Sequence, residues 1–287
     1  MSLQTSADDE PYLFPRHPAE GDRLDVQHYA LCLSVGSNYL APIGTPRRVL
    51  DSGSGTGQWA HDLCHEFPDA LVAGVDLQAG KPEWPPNFRF VQADLLDGLP
   101  FADDQFDFVH QRLLALGVPL ACWDGLVAEL VRVTRPGGWV ELVEMDWGVD
   151  PTGPATVRLV DLAKRVGRSH GLDTEASIFR TLERSLCRAG LVAVERRSID
   201  VPVGEWGGQI GSLMATDLRA AATRLGDVFQ VKLGLSAKEC HEVIRAASRE
   251  WEELRSRAAV AFAFGRKRTR ADRLYEGTLT PKCPASA

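Results

Sequence analysis

The chain has 287 residues, 44% hydrophobic and 25% charged, which makes a globular chain the default reading over a disordered one and supplies a sizeable core for one large or two small domains. Its 39 acids outnumber 32 lysines and arginines, and the resulting charge of −7 argues against a nucleic-acid partner. No apolar run approaches the ~18 residues of a membrane helix, and residues 1–10 are polar and acidic, unlike a secretory leader. A cytoplasmic protein without a membrane partner is therefore expected. Cys32, Cys64, Cys122, Cys187, Cys240 and Cys283 show no paired spacing, which fits a reducing compartment.

Residues 1–19 carry Pro11, Pro15 and Pro18 and read as an irregular arm. From 21 to 40, Leu24, Tyr29, Leu31, Leu33 and Val35 permit a helix, which Pro42, Gly44 and Pro46 would end. Strands and helices then alternate: strand 48–51, helix 58–66, strands 71–76, 88–92 and 106–110, helix 125–134 and strand 139–145. Pro136-Gly137-Gly138 separates the last two. Such alternation predicts an α/β fold with a mainly parallel sheet covered by helices on both faces. Further on, a helix over 174–189 closes at Gly190, and strand 191–203 is interrupted by Glu195-Arg196-Arg197. Residues 209–257 are mostly helical in pattern, and 258–264 form a last apolar strand. The basic run that follows, Gly265-Arg266-Lys267-Arg268, reads as a solvated strand end, and 269–287 as a frayed tail.

The segment richest in chemistry is Val49-Leu50-Asp51-Ser52-Gly53-Ser54-Gly55-Thr56-Gly57-Gln58-Trp59. A strand enters three alternate glycines and a helix leaves them, so a ligand can approach backbone that carries no Cβ. Gln58-Trp59 replaces the Lys-Ser/Thr that a P-loop requires. Gln58 also stands where a dinucleotide loop needs its third glycine, which weakens an NAD-dependent oxidoreductase. A nucleoside ligand without a diphosphate remains, with Asp51 able to accept from a cationic amine such as that of S-adenosylmethionine (SAM). Downstream, Asp76 and Leu77 end the second strand, and this carboxylate suits the two hydroxyls of a ribose. After the third strand, Ala93-Asp94-Leu95 offers either an acceptor for the adenine amine or a helix N-cap. Three acids at successive strand ends favour the ligand reading, because open α/β sheets bind at those ends.

These pieces, together with 106–112 and 135–144, resemble the successive motifs of class I SAM methyltransferases over roughly residues 47–146. A narrower likeness is to the LaeA-like methyltransferases found around secondary metabolism. It is carried by Arg23-Leu24-Asp25-x-Gln27-His28, Ala41-Pro42-Ile43, Glu83-Trp84-Pro85-Pro86-Asn87, Pro136-Gly137-Gly138-Trp139 and Gly265-Arg266-Lys267. The resemblance implies a Rossmann-like seven-stranded sheet with an antiparallel last strand at 258–264. It further implies an arm and lid helix over 1–46 and a SAM-binding domain over 47–205 with 257–268. Residues 206–256 would be a helical insertion covering the acceptor, and 269–287 the tail. SAM is the cofactor implied, S-adenosylhomocysteine (SAH) its product, and Tyr29, Asp51, Ser52, Gly53, Ser54, Gly55, Asp76, Leu77, Ala93, Asp94, Leu95 and His110 are the residues expected to hold it. Ser52 and Ser54 depart from the family's more frequent residues but are small, so the loop geometry is kept.

Methyl transfer from a sulfonium needs alignment and dryness more than a catalytic signature. A base matters only for an acceptor that enters protonated. His110, at the end of its strand, could be that base or simply line the pocket. Asp146, with Glu144, could face the acceptor or form an exposed strand end, and His28 on the lid helix could touch acceptor or cofactor. Trp59, Trp147 and Trp206 could wall an apolar acceptor pocket. His61, Cys64 and His65 share a helical face but lack a fourth ligand, so no metal is expected. The expectation is thus a methyltransferase for a small-molecule acceptor, O- preferred over N- or C-methylation, with homo-oligomerisation left open. A SAM-binding regulator without turnover is the alternative.

Overall fold

The computed structural model describes residues 18–80 and 83–274. Its first helix, α1 (Pro18–Val35), begins earlier than the apolar pattern suggests and stops at Gly36, whose φ of 74° is the left-handed conformation that closes a helix. The sheet then starts with β1 (Arg48–Ser52), of which every residue but the first is buried. A strand covered on both faces reads as a continuous apolar run, not as an alternation. The chain continues through α2 (Gln58–Glu66), β2 (Leu71–Asp76), β3 (Phe88–Gln92), β4 (Phe106–Arg112), α3 (Trp123–Val133) and β5 (Thr134–Asp150).

β5 is ten residues longer than the seven expected, 17 in all, and runs through the Pro-Gly-Gly segment, which the sequence pattern predicts as a break. The following helix, α4 (Pro154–Ser169), is absent from the expectations above. Its signal is nevertheless written in the chain. Pro154 stands at the first helical position, and Leu159, Leu162, Ala163 and Val166 recur on one buried face. Next come α5 (Ser177–Arg188) and β6 (Val192–Pro202), then the helical pair α6 (Gly208–Leu233) and α7 (Ala237–Glu253), and finally β7 (Arg257–Arg266). Ser236 and Glu239 form a reciprocal capping box that starts α7.

The seven strands lie in the order β3-β2-β1-β4-β5-β7-β6. All neighbouring pairs are parallel except those of β7, which runs antiparallel to β5 and β6. The last strand in sequence is therefore not at the edge but slots between two others. That place leaves β6 as an edge strand, which accounts for its polar Glu195-Arg196-Arg197 interior. Strand order reverses between β1 and β4, the point at which an open α/β sheet leaves a crevice beyond its carboxyl ends.

At the C-terminal end, part of the expected tail is ordered. A short helix, α8 (Arg270–Leu274), follows β7, and Asp272 accepts from Arg266 at 3.0 Å. Lys267 donates to Asp104 at 2.7 Å. The basic run thus ends in ion pairs at the edge of the fold. The arm's residues 1–17, the tail beyond 274 and Cys283 lie outside the described residues. No helix among the described residues is long and apolar enough to cross a membrane.

Candidate active site

One cavity of about 940 Å³ opens over the β1/β4 crevice. Its first half is built by the glycine turn. Gly53 and Gly55 hold φ values of 72° and 55°, which a side chain resists. A Cβ on Gly53 would also stand 2.7 Å from Leu114. The turn is tied down by its own amides: Gly53 and Ser54 donate to Val75 O at 2.8 and 3.1 Å, Gly55 to Asp76 Oδ2 at 2.8 Å, and Gly57 to Ser54 O at 2.8 Å. With those N–H groups spent inside the protein, the turn has no cradle for a diphosphate. The NAD reading loses its anchor on this ground.

Around the turn, Asp51, Gly53, Ser54, Gly55, Asp76, Leu77, Asp94 and Leu95 all line the cavity. Asp51 is 4% exposed, and Oδ2 of its carboxylate has no hydrogen-bond partner. Burial pushes Asp51 up to about 7 against the pull of nearby Arg112 and His28. Burial likewise raises Asp76, offset by the Gly55, Gln78 and Leu77 amides. Asp94 does cap the following 3-10 turn, Oδ1 accepting from Leu96 N at 2.9 Å, while still facing the cavity. The two readings of that residue are compatible.

Four expected cofactor residues lie elsewhere. Ser52 is fully buried, and its hydroxyl donates to Gln111 at 3.4 Å behind the turn. Ala93 packs against a cluster of the apolar core and does not line the cavity. Tyr29 is 46% exposed and turns away from the cavity, meeting only the edge of the His28 ring at 5.1 Å. Its neighbour on the helix, not Tyr29, takes the inward position. His110 is 1% exposed, stacked flat on Trp59 at 3.9 Å and 3.6 Å from Asp51. Burial and the Arg112 charge hold it well below the usual histidine range, so it is neutral. A ring sealed between Trp59 and the sheet cannot reach an acceptor, which removes His110 as a base.

His28 does line the cavity, but its nitrogens are already engaged. Nε2 donates to Asp62 Oδ2 at 2.9 Å, and Nδ1 accepts from Arg112 Nη2 at 3.0 Å. The lone pair that a base would use is occupied, and burial lowers the ring's pKa. Neither expected histidine is therefore placed for proton abstraction.

The second half of the cavity is apolar. Leu113, Leu116, Met145, Trp147, Leu159 and Leu225 line it, with Ala221 and Ala222 of α6 above. Trp206 lies outside, beneath the Arg257 guanidinium at 5.0 Å. Glu144 and Asp146 sit where the two halves meet. Glu144 accepts from Leu114 N at 2.8 Å and Ala115 N at 3.4 Å, and burial pushes it up to about 8. Asp146 is half-buried, with Oδ1 accepting from Trp147 N at 2.6 Å.

α1 spans both halves. Asp25 accepts from Thr56 of the turn at 2.6 Å. Towards α6, Arg23 donates to Asp217 at 2.5 Å, Gln27 donates to the other Asp217 oxygen at 3.0 Å, and Glu20 pairs with Arg224 at 2.9 Å. The histidine–cysteine group of α2 is unlike a metal centre. Cys64 is packed in the core, and its thiol is pushed up to about 12 by burial, while His65 faces out.

A family model described as a methyltransferase domain matches residues 49–138. Methyltransferase str3 of Strobilurus tenacellus is 29% identical, over 70% of this chain and 74% of that protein. Secondary metabolism regulator laeA of Aspergillus fumigatus is 31% identical, over 68% of this chain and 54% of its own length. Methyltransferase pytC of Aspergillus terreus is 32% identical, over 68% and 62%. Over residues 49–138 the chain is thus similar to methyltransferase domains, and over about two thirds of its length it is similar to proteins of the LaeA group. It spans between 52% and 74% of the length of the curated relatives it matches. In fold it is similar to phosphoethanolamine N-methyltransferase 2 of Haemonchus contortus, with a TM-score of 0.51, 17% identity, and coverage of 85% of this chain and 58% of that one.

The cofactor of such methyltransferase domains is SAM, with SAH as its product, and the cavity carries polar groups that suit it. An unpaired carboxylate oxygen on Asp51 suits an ammonium, Asp76 a diol and Asp94 an amine, in the order of strands β1, β2 and β3. Arg112, which the sequence analysis does not single out, also lines the cavity. The available signal was its period-two spacing from His110 at the end of a strand.

Proposed function

We propose that the protein transfers a methyl group from SAM to a small, largely apolar acceptor carrying a hydroxyl. The observation that carries this reading is a single cavity with two chemically distinct halves. Its volume, about 940 Å³, lies near the top of the ~300–1,000 Å³ typical of ligand pockets and leaves room for two molecules. Eight residues of the turn and strand ends would hold the nucleoside and methionine parts: Asp51, Gly53, Ser54, Gly55, Asp76, Leu77, Asp94 and Leu95.

When bound, SAM supplies an already activated methyl on a sulfonium. The chain's part is to align the acceptor and exclude water. Leu113, Leu116, Leu159 and Leu225 would desolvate the acceptor, with the α6–α7 insertion as its roof. Arg23, which lines the cavity beside α6, is paired with Asp217 and Glu20, so it does not invite a phosphate or nucleic acid. Asp146 is the carboxylate we assign to take the hydroxyl proton, which favours O-methylation over N-methylation.

The test is transfer of labelled methyl from SAM to a panel of apolar phenols, alcohols and amines. Transfer to hydroxyl acceptors that falls about 10²- to 10⁴-fold in Asp146→Asn, with SAH binding unchanged, is the expected result. Labelling of amines alone would overturn the O-acceptor assignment. A second reading, a SAM-binding regulator without turnover, is favoured by the name of the laeA relative. It gains if SAH binds and no acceptor in the panel or in a cell extract is labelled.

A further inference from the structure

Beside Asp51, the cavity is lined by Arg112 and His28, which the reading above does not use. Register pairs Asp51 of β1 with His110 of β4, and Arg112 stands two residues further along on the same face. Asp51 and Arg112 therefore flank the crevice from adjacent strands, and both line the cavity. They influence each other through space, not through a hydrogen bond. A carboxyl with an unpaired oxygen, ionised when an ammonium pairs with it, and a cation held apart from it form a two-point receptor. Its complement is a zwitterion in which ammonium and carboxylate share one carbon.

The cation is held in place from behind. Arg112 Nη2 donates to His28 Nδ1, His28 Nε2 donates to Asp62, and Asp62 Oδ1 accepts from Gln58 Nε2 at 2.8 Å. That chain fixes one tautomer of a neutral His28 and fastens one edge of the guanidinium. Arg112 also meets the Cys32 thiol, and the guanidinium, a planar five-donor fork, belongs to a residue that lines the cavity. Because His28 belongs to α1 and Asp62 to α2, the orientation of Arg112 depends on α1 lying over the sheet.

We propose that Arg112 binds the α-carboxylate of the cofactor's methionine part, and that His28 is a positioning residue which orients it through Asp62. This rests on the SAM reading and adds a residue to it. The proposal also assigns His28 a part that is neither base nor direct ligand. Tyr29, one step along α1, has no share in it.

The inference is tested by calorimetric binding of two ligands: SAH, and S-adenosyl-3-thiopropylamine, which keeps the amine and lacks the carboxylate. The unmodified protein should prefer SAH by about 10- to 100-fold, the worth of a charge-assisted pair. Equal affinities would overturn the proposal without any variant. Arg112→Met should erase the preference by weakening SAH alone, leaving the thiopropylamine unchanged. Loss of both ligands in parallel would mean a merely structural arginine and also overturns it. His28→Leu should reduce the preference, and His28→Asn, which keeps an acceptor near Nδ1, should restore most of it. A preference that ignores His28 would overturn the positioning role. Should neither ligand bind the unmodified protein, the SAM reading itself falls, a failure distinct from a wrong assignment of Arg112.

Discussion

Asp51 concentrates the electrostatics of the cofactor half. Its carboxyl faces His110 and Arg112 on β4, His28 on α1 and Asp76 on β2. Burial lifts it from 3.8 to about 7, so the folded protein favours its neutral form. The sign follows from linkage. Stability contributed by the neutral carboxyl is fully present below the unfolded value and is lost as pH rises through about 7. An ammonium needs the opposite form. SAH affinity should therefore rise by up to about tenfold per unit as pH approaches about 7 and level off above it, while stability of the free protein declines between about 4 and 7 and then levels off. Asp51→Asn should flatten both profiles, which titration calorimetry and thermal melting at several pH values would reveal. Unchanged slopes in that variant would mean another group sets the dependence.

The element that joins the two halves is α1. Its link to α6 is a buried ion cluster in which the Asp217 side chain has no exposure and both its oxygens accept hydrogen bonds. Burying such a group costs several kcal/mol, and pairing in the low-dielectric interior offsets it. Removing one partner leaves the other charge stranded. Asp217→Ala should thus destabilise the fold by about 3–5 kcal/mol, whereas the double change Arg23→Met with Asp217→Leu should recover much of the loss. Denaturant melts of the three proteins check this. Equal losses in the single and double variants would mean that α1 is held by its apolar packing instead. The cluster also explains why α1 begins three residues before its apolar pattern: Glu20, with its partners Arg23 and Arg224, belongs to the helix's anchoring face.

At the scale of the molecule, the sheet supplies one half of the cavity and the helices inserted between β6 and β7 supply the roof of the other. Such a division lets acceptor chemistry vary while the cofactor half stays fixed. Ala221→Phe projects a ring from α6 into the apolar half. It should abolish methyl transfer and leave SAH binding intact, and the melting shift from saturating SAH, about 2.7 kcal/mol at a hundred times Kd, should survive. Loss of that shift would place Ala221 beside the cofactor and contradict the two-part cavity.

Local chemistry alone determined the glycine turn, the carboxylates at three strand ends and the alternation that builds a parallel sheet. Each depends on the residue and its near neighbours: positive φ at Gly53 and Gly55, apolar runs in β1 and β2, a cap at Asp94. Even α4, which was passed over, left its proline and apolar period in view. Which way a side chain faces was decided elsewhere. His110 and Tyr29 are the residue types that a cofactor pocket uses, yet stacking on Trp59 seals one and the rotation of α1 exposes the other. Arg112, His28 and Asp62 lie 84 and 34 positions apart and meet only because α1 and α2 close over β4. Position within the sheet is likewise a long-range matter: β7 enters between β5 and β6, which precede it in the chain, and pairs with both. Short-range order follows from dihedral preference and hydrophobic period, whereas the meeting of distant polar groups is fixed by the packing that brings them out of water.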